Sequence, residues 1–236
     1  ISDLIPGIIV QSGNDACIVV AEGLAGSEAE FAEEMTKKAL SIGMTRSTFR
    51  NSTGWPHPEH LTTARDLATL AKRTIIDFPQ YYHYYKQLKF TYNGIKQHNR
   101  NPLLYKDMEA DGLKTGHTQA AGYGLTSSAV RGGRRLILVV NGLRSKKTRS
   151  TESERLLEWG FREFNNYALF KKGTEVETAN VWLGKATTVP LIIEQDVKIT
   201  LARKSRDKMK VTVSFKGPIP APIKKGDKIA VLKITA

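Results

Sequence analysis

The sequence predicts an α/β protein, an antiparallel sheet flanked by helices, followed by a small all-β domain. Three observations predict it. Apolar residues recur at helical spacing over 27–42 and 63–77, and two strand-like runs flank the glycine pair Gly132-Gly133. After Tyr167 the texture changes to short alternating runs separated by turn or charge clusters.

Taken in order, the first helix is expected from Ser27 to Ile42. Ser27 is a good N-cap, and Glu30 stands three residues on, in capping-box spacing. Phe31, Met35 and Ile42 share a face, and Gly43 ends the run. A loop rich in turn residues follows over 50–58. The second helix is expected from Thr63 to Asp77, with Leu67, Leu70, Ala71, Ile75 and Phe78 as its apolar stripe and Pro79 as its stop. Asn93-Gly94 is a strong hairpin signal. Gly122–Val130 and Arg134–Asn141 read as adjacent antiparallel strands turned by Arg131-Gly132-Gly133. A third helix fits Ser150–Phe164. Strands are then expected over Val176–Trp182, Val197–Arg203, Met209–Phe215 and Lys228–Ile234. The boundary falls near residue 168, giving domains 1–168 and 169–236, the second sandwich-like and basic.

The 236 residues carry a net charge of +13 and a pI near 9.8. From Lys171 onward 14 Lys and Arg stand against 6 Asp and Glu, so +8 of that charge lies in the second domain. Such a surplus favours anionic partners, a lipid headgroup surface among them. Zinc-finger, RNA-binding and helix-turn-helix patterns do not appear, so no nucleic-acid partner is expected. The single cysteine, Cys17, allows no intrachain disulfide and reads as a packed small residue. His57, His60, His83 and His98 lack metal-ligand spacing and read as structural or surface residues. No run of 18 apolar residues predicts a membrane span. The chain does not begin with Met and opens inside the apolar stretch Leu4–Val10, which leads to the expectation of polypeptide upstream.

Two motifs carry chemistry. In Ser12-Gly13-Asn14 a tight turn at Gly13 would aim a proton-relaying hydroxyl and a carbonyl-binding amide into one cleft. In Asp111–Thr118, Lys114-Thr115-Gly116 offers a cation, a hydroxyl and bare backbone along a strand edge. Free N–H groups there can pair with a substrate or hold an oxyanion.

In this order, with Asn14 and Lys114 separated by 100 residues, the motifs resemble those of the low-molecular-mass penicillin-binding D-alanyl-D-alanine carboxypeptidases of bacterial cell walls. The resemblance covers essentially the whole chain. It includes Asn51 to His60, Phe90–Asn93, Asn99–Leu104, Glu154–Phe161 and the trailing basic β-domain. It implies the penicillin-binding/β-lactamase-like transpeptidase fold. It also implies that Ser12 works in the hydroxyl relay, Asn14 binds the substrate's peptide carbonyl and Lys114 supplies positive charge. Thr115 would help bind the terminal carboxylate, with Gly116 beside it, and His117 would lend its N–H to the oxyanion hole. Arg149 matches an arginine near the D-alanine carboxylate, and Arg100 another cleft arginine.

The resemblance further implies a serine nucleophile in a Ser-x-x-Lys element several tens of residues before Ser12, a position this chain does not include. The fold is thus expected to be incomplete at its N-terminus, with an N-terminal fragment of the same protein as partner. Ser205-Arg206-Asp207-Lys208 copies the pattern but reads as a hairpin turn. The implied activity is removal of the terminal D-alanine from peptidoglycan stem peptides through an acyl-enzyme that β-lactams trap, and it implies no metal or organic cofactor. The implied setting is the periplasm, peripheral to the inner membrane. A β-lactamase-like hydrolase and a non-catalytic cell-wall-binding fragment are the alternatives.

Overall fold

A computed structural model describes residues 3–236, which divide into two compact units, the first up to residue 158 and the second over residues 159–236. The first unit opens with a short helix α1 (Leu4–Pro6) that widens into a π-helical turn, Gly7–Gln11. Helix α2 (Asn14–Ala25) follows at once, ended by Gly26 in the left-handed region. The sequence reading placed a functional turn at Ser12-Gly13-Asn14 and no helix after it. The apolar residues of α2, among them Ile18, Val19, Val20 and Leu24, are spread around the helix, so no stripe announces it.

Helix α3 (Glu28–Ser41) begins at the expected capping box: Ser27 Oγ accepts from Glu30 N at 3.2 Å and bonds the Glu30 carboxylate at 3.0 Å. Helix α4 (Ala64–Asp77) is capped by Thr63, whose hydroxyl accepts from Asp66 N. Asp66 is buried and accepts from Ser47 Oγ at 2.7 Å and Arg46 N at 2.9 Å, tying the start of α4 to the preceding loop. Strands β1 (Lys89–Tyr92) and β2 (Ile95–His98) form the hairpin expected at Asn93-Gly94, both turn residues having positive φ.

The sheet is β3 (Ala110–Thr118), β4 (Gly122–Arg131) and β5 (Arg134–Leu143), antiparallel in the order β3-β4-β5. The turn falls at Gly132-Gly133, both at positive φ, as the sequence indicated. Strand β4 is the buried centre, with Leu125, Ser127, Ser128 and Ala129 almost inaccessible. Helix α4 packs against β5. Helix α5 spans Lys146–Glu163, one turn earlier than expected. Ser145 Oγ accepts from Thr148 N at 3.0 Å and starts the helix on polar residues that carry no periodic signal.

The second unit is built of strands. β6 (Phe164–Phe170) pairs with β9 (Val197–Ala202), β7 (Glu175–Trp182) with β8 (Thr188–Ile192), and β10 (Lys210–Phe215) with β12 (Ala230–Thr235), all antiparallel. The short β11 (Ile219–Pro220) runs parallel to β7. Ala179, Leu191 and Ile219 form the core, with Val176, Val189, Val213 and Phe215 against it. Two readings need correction. Phe164, expected as the last inward residue of a helix, opens β6, so strand structure begins before residue 168. The segment around Ser205 is a 3-10 turn, Arg203–Lys208, linking strands of different pairs, not a hairpin.

Candidate active site

The π turn and α2 are joined through Ser12, whose backbone is left-handed, φ 63° and ψ 44°. For a non-glycine residue this costs about 1–2 kcal/mol. The sequence reading assigned the unusual conformation to Gly13; Gly13 is instead extended, φ −70° and ψ 117°. Its lack of a side chain still matters, because a Cβ there would lie 2.8 Å from Asp15 Oδ1 and 3.5 Å from Gly7 O. Gly13 N donates to Gly7 O at 3.1 Å and closes the turn. Asn14 is the first residue of α2 and is exposed.

The strained turn brings the Ser12 hydroxyl to strand β3. Lys114 Nζ donates to Ser12 Oγ at 2.8 Å and to Thr115 O at 3.1 Å, a contact between residues 102 positions apart. Burial pulls the Lys114 ammonium down to about 8, and the charges of Arg100 and Arg149 push the same way against an opposing pull from Cys17. The Cys17 thiol is pushed up by burial, with Lys114 opposing, so it stays protonated near neutrality, in keeping with a packed residue.

β3 is an edge strand, bonded to β4 on one side. Thr115 is half-buried, while Gly116 and His117 are exposed. A side chain added at Gly116 would meet nothing within 4 Å, so the space beside this edge is open to a ligand chain. The strand is held from behind: Gly112 O accepts from Asn101 Nδ2 and from Ser127 Oγ, both at 2.9 Å. Asp111 takes an ion pair from Arg135 at 2.7 Å and the Tyr82 hydroxyl at 3.0 Å. Sequence reading gave no role to Ser127, Tyr82 or Arg135, and Asn101 entered only as part of the resembling stretch Asn99–Leu104.

Arg149, on the first turn of α5, is 6% exposed. Its Nη1 reaches Gly116 O at 3.5 Å and Gly124 O at 3.4 Å, both long, and its Nε is buried with no partner among the described residues. The guanidinium lies 5.7 Å from the centre of the Tyr123 ring. Burial lowers its pKa. A buried cation with an unsatisfied donor favours an incoming anion. Arg149 is thus not a solvated loop charge. Arg100 is exposed, on a segment fixed by its buried neighbours: Asn99 Nδ2 donates to Gln87 O at 3.0 Å, and Asn101 N donates to Asn99 Oδ1 at 2.9 Å. The turn chemistry and the cleft charge coexist there, since Arg100 is the largest electrostatic influence on Lys114.

The structure therefore gathers Ser12, Lys114, Thr115, Gly116 and Arg149 around one strand edge and sets Arg100 within electrostatic reach. The His117 ring lies tilted against Tyr123, with centroids 3.9 Å apart.

A helix-flanked antiparallel sheet with this cluster on its edge strand, trailed by a β-domain, is the architecture of the penicillin-binding proteins. The whole chain superposes on penicillin-binding protein 5 of Haemophilus influenzae with a TM-score of 0.89 at 36% identity, covering 99% of this chain and 69% of that one. On the D-alanyl-D-alanine carboxypeptidase DacD of Francisella tularensis the TM-score is 0.86 at 31% identity, covering 99% and 70%. The chain belongs to the D-alanyl-D-alanine carboxypeptidase family, whose profile matches residues 1–145; the penicillin-binding protein 5 C-terminal domain matches residues 164–236. It is 40% identical to the carboxypeptidase DacC of Escherichia coli over 98% of its length and 33% identical to DacF of Bacillus subtilis over 98%. It spans 58% of the length of DacC and 61% of that of DacF.

Proposed function

We propose that the protein to which this chain belongs is a serine-type carboxypeptidase that removes the terminal D-alanine from peptidoglycan stem peptides. The observation that carries this reading is the Lys114–Ser12 contact, 2.8 Å, on the open edge of β3, with the buried Arg149 guanidinium at Gly116. A D-Ala-D-Ala stem laid along β3 would place its terminal carboxylate by Thr115 and Arg149 and its peptide carbonyl within reach of Asn14.

The nucleophile is a serine in polypeptide preceding these residues. Its oxygen attacks the D-Ala-D-Ala carbonyl, and the His117 N–H and a partner N–H hold the oxyanion. The proton lost by that serine passes through the Ser12 hydroxyl, beside the Lys114 charge, to the departing D-alanine amine, and water then hydrolyses the ester. Penicillin imitates the dipeptide and stops at the ester. The substrate places the protein on the outer side of the cytoplasmic membrane, in the periplasm. The basic second unit provides a surface for anionic headgroups.

Intact-mass spectrometry after incubation with penicillin, beside an assay of D-alanine release, tests this. An adduct on a serine upstream of residue 1, together with D-alanine release, is the expected result. A full-length protein that neither releases D-alanine nor takes up penicillin would overturn it. Penicillin hydrolysis without D-alanine release would transfer the site to a β-lactamase.

A further inference from the structure

Tyr123 has no part in the reaction as set out above, yet its ring lies against the side chains of two residues that do. The register of β3 and β4 places it directly across from His117, and the rings lie 3.9 Å apart, tilted by 32°. The same ring faces the Arg149 guanidinium at 5.7 Å. The two carbonyls that meet Arg149 do so only at 3.4 and 3.5 Å, and its Nε has no partner among the described residues. Its hydrogen bonds are therefore too long to fix its plane firmly. The aromatic face supplies the attraction they lack, and burial strengthens it.

We propose that Tyr123 is a positioning residue for carboxylate recognition: its ring orients the Arg149 guanidinium toward the ligand's terminal carboxylate. Because the same ring rests on His117, it also ties that guanidinium to the β3 edge. This assignment rests on the carboxypeptidase reading. It adds that preference for a free C-terminal carboxylate depends on the electron density of ring 123. The hydroxyl is not required, because the contact is made by the ring face.

The test compares a D-Ala-D-Ala peptide with its C-terminal carboxamide, measuring kcat/KM for each in the full-length protein. A cation–π contact of this kind corresponds to about three- to thirtyfold in binding. Tyr123→Phe is expected to keep the carboxylate-to-carboxamide ratio, and Tyr123→Leu to lower it by about that factor, mainly through KM. A purely structural role would depress both substrates equally and leave the ratio alone. Because Tyr123→Leu can also disturb the sheet, a second series replaces Tyr123 with phenylalanines of increasing fluorine content, which keep the shape and drain the ring face. The ratio should fall stepwise along it. A flat ratio across the series, with wild-type protein active, overturns the role of Tyr123 and leaves the carboxypeptidase reading standing. Wild-type protein inactive on both peptides and inert to penicillin overturns that reading and this assignment with it.

Discussion

Lys114 is the residue whose environment most constrains the chemistry. Buried, and facing the cations Arg100 and Arg149, it holds its proton only up to about pH 8. If its positive charge serves the cleft, D-alanine release should fall as pH rises through about 8. In Lys114→Arg the fall should move out of the accessible range, whatever the absolute rate, because a guanidinium stays protonated. A pH–rate profile of the two proteins checks this. Stability should respond with the opposite sign. The unfolded chain holds the Lys114 proton up to its ordinary 10.5, so between about 8 and 10.5 it binds more protons than the folded one and stability rises with pH. Below about 8 the full cost of the buried charge is present. Lys114→Met is therefore expected to be more stable than wild type by about 1–3 kcal/mol at pH 7, with the gap closing toward pH 10.5. Denaturant midpoints at the two pH values decide it. The sequence could name Lys114 and Ser12 because each sits in a short motif. It could not show that Ser12, not Gly13, carries the left-handed backbone, since that choice is made by the π turn preceding it.

The elements that were legible are those whose signals are local. The Ser27–Glu30 capping box, the Thr63 cap and the Asn93-Gly94 turn all appear where the residues place them. Helix α2 was not legible, because its apolar residues surround it. Strand β8 was hidden by Pro190, a residue that argues against a strand unless the strand lies at an edge, as β8 does. The hairpin offers a direct test of local control. Gly94 has φ 75°, and the hairpin packs against the π turn that leads into Ser12. Gly94→Val puts a β-branched residue in that region and should cost about 1–2 kcal/mol or more. Urea unfolding measures the loss, and amide exchange across Phe90 and Gln97, which face each other in the hairpin, should lose its protection first.

At the scale of the whole molecule, charge is divided unevenly, and the division has a consequence. The second unit concentrates cations in one stretch: Arg203, Lys204, Arg206, Lys208 and Lys210 are all exposed within one turn and the start of β10, with Asp207 the lone acid among them. Period-two alternation made most of these strands readable, and it also puts Lys210 and Lys233 on solvent-facing positions of the β10–β12 pair. Each cation near an anionic bilayer is worth about 1 kcal/mol, and the attraction fades beyond a Debye length of about 10 Å at 0.1 M salt. The protein is therefore expected to sediment with phosphatidylglycerol-containing vesicles at low salt, not with purely zwitterionic ones, and to come off as salt is raised. Reversing Lys204 and Lys208 to Glu should weaken the association by at least tenfold. Attachment that ignores both salt and these substitutions would mean that the charge of the second unit does not direct the molecule to a membrane surface.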